Sequence, residues 1–219
     1  MSKANQTNQN VDNQHVMVSV ASERAEALGG ILIAFFAAMM AISDLTNSNI
    51  EEEMQKCQTK NSSYFSWYQS KSVKQSLQEG QMITLETFMK AGIILAAKTI
   101  AFQEEIDKLK KEIKRYKAEK KEIMEGSANI PQADWAQELD GEMGKIVGFK
   151  EWEKQGLKLD KATNQFDIGM LFFQISLVLG AICVIIYDNA KLQKAFIGLM
   201  IFSGAAGICF SIYGYMLSL

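Results

Sequence analysis

Proline is almost missing, with one copy in 219 residues, at Pro131. That scarcity, with 15 glycines, argues against a turn-rich β fold and predicts long uninterrupted helices. Histidine is as scarce. Its one copy, His15, sits in a polar leading segment, so most His-dependent catalysis and zinc chemistry falls away. The three cysteines form no C-x-x-C pair: Cys183 and Cys209 lie in apolar runs, and Cys57 is alone in the charged middle. No disulfide framework can be built within that middle, and no cysteine spacing points to metal or redox work. Net charge is −2, which leaves no basic footprint for nucleic acid.

What the chain does have is segregation. Its mean hydropathy of −0.04 looks soluble, yet 40 of the 48 charged residues lie from Asp44 to Asp167. Three charge-free runs flank that block: 27–43, 168–187 and 195–219. The last two match the ~20 apolar residues needed to cross a ~30 Å hydrocarbon core, and the first is at the short end. The residues before the first run carry Lys3 and Arg24 against Asp12, Glu23 and Glu26. No A-x-A pattern follows it, so it reads as an uncleaved anchor rather than a cleaved signal.

The expected layout is a disordered polar tail over 1–26, a first span over 27–43 and an extramembrane helical domain over 44–167. A second span over 168–187, a short loop over 188–194 and a third span over 195–219 complete it. The fold class is therefore all-α: three transmembrane helices, with a long charged, coiled-coil-like helical hairpin or stalk between the first and second.

Small residues recur at four-residue spacing in each span: Gly30, Ala34 and Ala38; Ser176 and Gly180; Ser203, Gly207 and Ser211. Small side chains let helices approach closely where lipid offers no hydrophobic drive. Packing of the three spans on one another is the plain expectation, and self-association is the sharper one for at least one stripe. No Asp, Glu, Lys, Arg or His lies inside any span. That absence argues against ion-coupled transport, which usually keeps such a group in the membrane.

In the middle, Ile106, Leu109, Ile113, Tyr116 and Ile123 follow a heptad seam, with Lys120 in the missing slot. Most other positions there are charged, so this helix can bury only a narrow stripe and needs a partner helix. The more apolar stretch 82–102 is interrupted by Glu86, Lys90 and Lys98, which predicts a buried amphipathic helix. Residues 126–131 end the seam helix, and a shorter helix over 135–159 is expected to return the chain to the membrane. Further upstream, Trp67, Ser70, Lys71 and Lys74 share one helix face, with Tyr64, Tyr68 and Ser72 beside them. Trp67, Tyr68, Lys71 and Lys74 are the expected interaction face, in which lysine stems pack on aromatic rings.

The string Trp67-Tyr68-Gln69-Ser70-Lys71-Ser72-Val73-Lys74-Gln75 resembles a W-x-Y-Y-Q-A-K-S-x-K-Q segment. That segment marks a bacterial three-span membrane family catalogued as a domain of unknown function (DUF4337 type). The resemblance continues through Leu171–Ser176, Leu179–Ile182 and Gly204–Gly207. It implies one N-terminal span, a charged helical middle and a closing pair of spans, and it brings no established reaction. A basic stretch that such proteins carry before the second span is reduced here to Lys158, Lys161 and Asn164. An arginine cluster between the last two spans is reduced to Lys191 and Lys194.

The functional expectation is a non-catalytic homo-oligomeric scaffold or partner-binding protein of a bacterial cytoplasmic membrane. A pore-forming or transport-accessory subunit is the alternative. No cofactor or metal is expected. The expected partners are membrane lipid, further copies of the chain and a protein bound through the helical domain. Across the first span, Asp12, Glu23, Arg24 and Glu26 sum to −2, whereas Asp44, Glu51, Glu52, Glu53 and Lys56 sum to −3. With the Lys191/Lys194 connection, this charge difference predicts the helical domain on the outer side.

Overall fold

A computed structural model describes residues 2–186 and 189–219, with side chains from Glu26 onward apart from Ala96 and Ala190. It is 87% helical. The elements are α1 (Ser2–Lys90), α2 (Thr99–Glu125), a two-stranded ribbon of β1 (Glu138–Leu139) and β2 (Glu142–Met143), α3 (Phe149–Ile185) and α4 (Ala190–Ser218). Three of the helices carry segments long and apolar enough to cross a membrane. The expected end of the second span, Tyr187, and the adjoining Asp188 lie outside the described residues.

α1 continues for 89 residues because neither proline nor glycine stands before Gly29, and Gly29, Gly30 and Gly80 are its only glycines. Its backbone therefore takes in residues 2–26, where a disordered tail was expected. The helix runs without a break through Ile50. The stop is local. Gly92 adopts a left-handed φ of 68°, its N–H donates to Met89 O at 3.2 Å, and the Ile93 N–H donates to Phe88 O at 3.3 Å. These two bonds make a Schellman cap, which glycine allows without a Cβ penalty. Hence the apolar stretch 82–102 is not one buried helix but the end of α1, a turn and the start of α2.

The return path differs from expectation too. Gly126, with φ 88°, ends α2, and the next helix begins only at Phe149 rather than near Trp135. Between them the ribbon turns through Asp140 and Gly141, whose φ values of 54° and 82° are both positive. Asp-Gly is the favoured pair for a two-residue hairpin of that hand. The ribbon pairs Glu138 with Met143 and Leu139 with Glu142. At the other end of the chain, α4 begins at Ala190 because the Asn189 side chain accepts from the Leu192 N–H at 3.2 Å. Lys191 and Lys194, expected in a loop, are therefore helical.

The chain divides into two compact units: Met1–Glu53 with Lys158–Leu219, and Met54–Leu157. In the first, Phe36, Phe173 and Met200 are buried together, surrounded by Ile33, Met40, Leu177 and Ile208 among others. In the second, α1 and α2 form an antiparallel hairpin, and α2 buries Ile106, Leu109, Ile113, Tyr116 and Ile123 along one stripe.

Candidate functional site

In the membrane unit, contact is built by removing side chains. A Cβ on Gly204 would stand 2.1 Å from Phe36 Cε1, and one on Gly207 would stand 3.0 Å from Gly169 O. Glycine at both places brings α4 against α1 and α3. Hydroxyls then bridge to carbonyls across the crossing: Ser176 Oγ donates to Met200 O at 2.9 Å, and Ser203 Oγ donates to Phe172 O at 2.8 Å. Lower down, Ser43 Oγ donates to Ser211 Oγ at 3.1 Å, and Asn47 Nδ2 donates to Asp167 Oδ1 at 3.2 Å.

Ser176, Gly180, Ser203 and Gly207 are buried and Ser211 half-buried, all within this packing. The first-span stripe is different. Gly30, Ala34 and Ala38 are exposed, and nothing lies within 4 Å of a Cβ on Gly30. α1 instead turns Gly29, Phe36, Ser43, Asn47 and Ile50 inward. The reason is shape. Gly204 leaves a hollow on α4 that the Phe36 ring fills, so the small residue is needed on α4 and the large one on α1.

In the hairpin unit the contacts are charged and aromatic. Lys71 Nζ lies 2.6 Å from Glu119 Oε2, with only 17% and 7% of the side chains exposed. Arg115 Nε stands 3.4 Å from the other oxygen of Glu119. Lys71 and Arg115 both lie over the Tyr116 ring, at 5.6 and 5.2 Å. Lys120 Nζ donates to Ser72 Oγ at 2.8 Å and Gln75 Oε1 at 3.3 Å, and sits 4.9 Å from the Tyr68 ring centre. Tyr68 in turn meets Phe149 edge-on at 5.6 Å. The four expected face residues are thus divided. Tyr68 and Lys71 turn toward α2, Trp67 lies half-buried edge-on to Tyr64 at 5.9 Å, and Lys74 is exposed. Burial, with Asp140 adding to it, pushes the Tyr64 phenol above its ordinary pKa.

Two acidic residues of α2 do work that the lysine-rich pattern hid. Glu119 anchors the ion-pair layer. Glu122 is fully buried and accepts from Ser127 Oγ at 2.7 Å, Ala136 N–H at 2.7 Å and Gln137 N–H at 2.8 Å. Ser127 Oγ also accepts from the Ile146 N–H at 3.0 Å. One carboxylate thereby pins the irregular segment between α2 and α3. The available signal was position: Glu119 and Glu122 flank Lys120, which interrupts the apolar seam between Tyr116 and Ile123.

Among the described residues, no three His, Cys, Asp or Glu side chains are grouped to hold a metal ion. An open groove of about 590 Å³ runs between α1 and α2 past Leu77, Gly80, Thr84, Leu85 and Leu109.

Taken together, three long apolar helices and a charged hairpin define a helical protein compatible with multi-pass insertion in a membrane. Residues 25–217 match a family model described as a domain of unknown function, DUF4337. The chain belongs to that family. No curated protein and no solved structure matches it.

Proposed function

We propose that the chain is a non-catalytic, homo-oligomeric scaffold or partner-binding protein of a bacterial cytoplasmic membrane, with its helical unit on the outer side. The observation that supports this reading is the apolar end of the hairpin. Ile93, Leu95 and Ile100 are 69%, 70% and 74% exposed, as much as Phe202 at 74% within a candidate span. From Thr87 to Gln103 there is no acid, and Lys90 and Lys98 are the only charges. A cluster of large aliphatic side chains held open to water marks an association surface.

Mass measurement in mild detergent over a range of protein concentrations tests assembly. The expected result is a multimer, and a monomer at every concentration would remove the scaffold reading. Sidedness needs its own probe, because Cys57 is buried and lies against Gly156. A cysteine at the exposed Lys114 should react with a membrane-impermeant maleimide in intact spheroplasts. Reaction only after lysis would put the helical unit inside.

A further inference from the structure

We infer that the tip of the α1–α2 hairpin docks into the headgroup layer of an anionic phospholipid bilayer. The inference rests on the association surface described above and names its occupant. The tip runs from Thr87 to Gln103 and lies wholly within the hairpin unit. Phe88 comes from α1, Ile93 and Leu95 from the turn, and Ile100 from α2, and all four are exposed. Apolar side chains thus crown the end of the hairpin from both arms. A fluid surface covers them together without having to match their shape.

Charge selects the fluid. Lys90 and Lys98 are both exposed and are the only charges in the patch. Their aliphatic stems can lie along apolar surface while the ammonium groups reach lipid phosphates. Of the acids that border the patch, Glu86 lies 3.5 Å from Lys110, and Glu105 lies 3.2 Å from Lys108. From Glu86 to Lys111, five lysines stand against Glu86, Glu104, Glu105 and Asp107, so the collar leaves this end of the hairpin positive. A second copy is the poorer occupant. Two tips brought together would set lysine against lysine with no acid inside either patch, whereas an anionic headgroup layer supplies the missing charge.

Depth agrees as well. At ~1.5 Å per residue, the stretch from Thr87 to Gly92 is about 8 Å deep and that from Thr99 to Gln103 about 6 Å. Interfacial elements bury ~5–10 Å at the headgroup–acyl boundary, and a crossing needs ~30 Å. The tip therefore enters the interface without crossing, and Glu86 and Glu104 mark where entry stops. The turn also closes its own backbone. Ala91, Gly92 and Ile93 N–H groups donate to Thr87, Met89 and Phe88 carbonyls at 2.9, 3.2 and 3.3 Å, and Lys98 N–H donates to Leu95 O at 2.8 Å. Donors that are already bonded lower the cost of leaving water.

The test reads the tip in the full chain, held in nanodiscs of phosphatidylcholine. A polarity-sensitive fluorophore on Ile93→Cys should shift to the blue when phosphatidylglycerol is introduced, in the disc and in added vesicles alike. The same fluorophore on the exposed Lys114→Cys should not shift. Each lysine near an anionic surface is worth about fivefold in binding. Replacing Lys90 and Lys98 by Gln should therefore raise the anionic lipid needed for half the shift by at least about tenfold, with helicity unchanged. Added salt should weaken the response of the unreplaced tip. No shift with phosphatidylglycerol overturns the proposal. So does a blue-shifted tip that needs no anionic lipid and reverts when the chains are diluted apart, which would make it a contact between copies and leave the scaffold reading standing. A lipid-dependent shift in a chain that is monomeric throughout would uphold the lipid contact and remove the homo-oligomeric reading.

Discussion

The two units solve the same problem, holding helices together, by opposite chemistry. In the membrane unit glycine and serine stand at the helix crossings around the Phe36, Phe173 and Met200 core, and α4 meets its neighbours closely where its own side chains are absent. In the hairpin unit α2 buries an apolar stripe from Ile106 to Ile123, and long charged residues join it, with Lys71, Glu119 and Lys120 bridging α1 and α2. The difference is compatible with apolar helices that would otherwise face lipid and a charged hairpin that would otherwise face water. Between apolar helices in lipid, burial of more hydrocarbon brings little, so close approach and hydroxyl-to-carbonyl bonds decide the packing. In water, apolar burial drives association, and charge is admitted only where it is paired.

This contrast can be broken most severely at Gly204. Gly204→Leu places side-chain atoms where the Phe36 ring stands, and overpacking of that kind typically costs about 1–3 kcal/mol or more. Thermal unfolding in detergent should show loss of the folded membrane unit. A Gly30→Leu control should unfold like the wild type, because Gly30 meets nothing. An unchanged transition in Gly204→Leu would mean that α1 and α4 do not pack through this contact.

A comparable effect is expected at the buried carboxylate of the hairpin unit. Glu122→Ala leaves the Ala136 and Gln137 N–H groups without their acceptor, at about 1–3 kcal/mol for each buried group left unsatisfied. Limited proteolysis should then cut within residues 126–148 while α2 remains helical. Resistance equal to wild type would show that the segment is held by other contacts.

The smallest effect is electrostatic. The Gln75 side chain donates to Glu79 Oε1 at 2.9 Å and Lys117 Nζ lies 3.5 Å away. The Gln75 hydrogen bond first, and Lys117 after it, hold the Glu79 carboxyl below its ordinary pKa despite some desolvation. A carboxylate with a depressed folded-state pKa contributes stability that is full above its unfolded value and is lost as pH falls through the folded one. Glu79→Gln should therefore differ slightly from wild type at neutral pH and converge with it in acid. A difference that grows toward low pH would reverse the assigned sign.

Much of the fold was legible in the sequence. The charge-free runs located three membrane-length segments, and the scarcity of proline announced long helices. The apolar spacing from Ile106 to Ile123 marked one stripe of α2, and those five residues are buried. Gly92 was the overlooked punctuation. It stands inside an apolar run whose composition reads as continuous helix, yet its left-handed backbone is what turns the hairpin. In the candidate site, Tyr68 and Lys71 could be placed on a helix face, but not Glu119 as the group that Lys71 meets, because the two are 48 residues apart.

The sequence by itself determined which residues share a face, since a helix of 3.6 residues per turn groups positions whatever surrounds it. Only the tertiary structure decided which face is covered. Gly30, Ala34 and Ala38 form as regular a stripe as any, but the covered face of α1 is the one carrying Phe36, because a hollow at Gly204 waits on a helix about 170 residues further along the chain. Glu122 likewise reads as one more solvated charge until Ser127, Ala136 and Gln137 fold back to donate to it. Local spacing fixes the pattern of a surface; its burial depends on the shape and donors of segments that are remote in sequence.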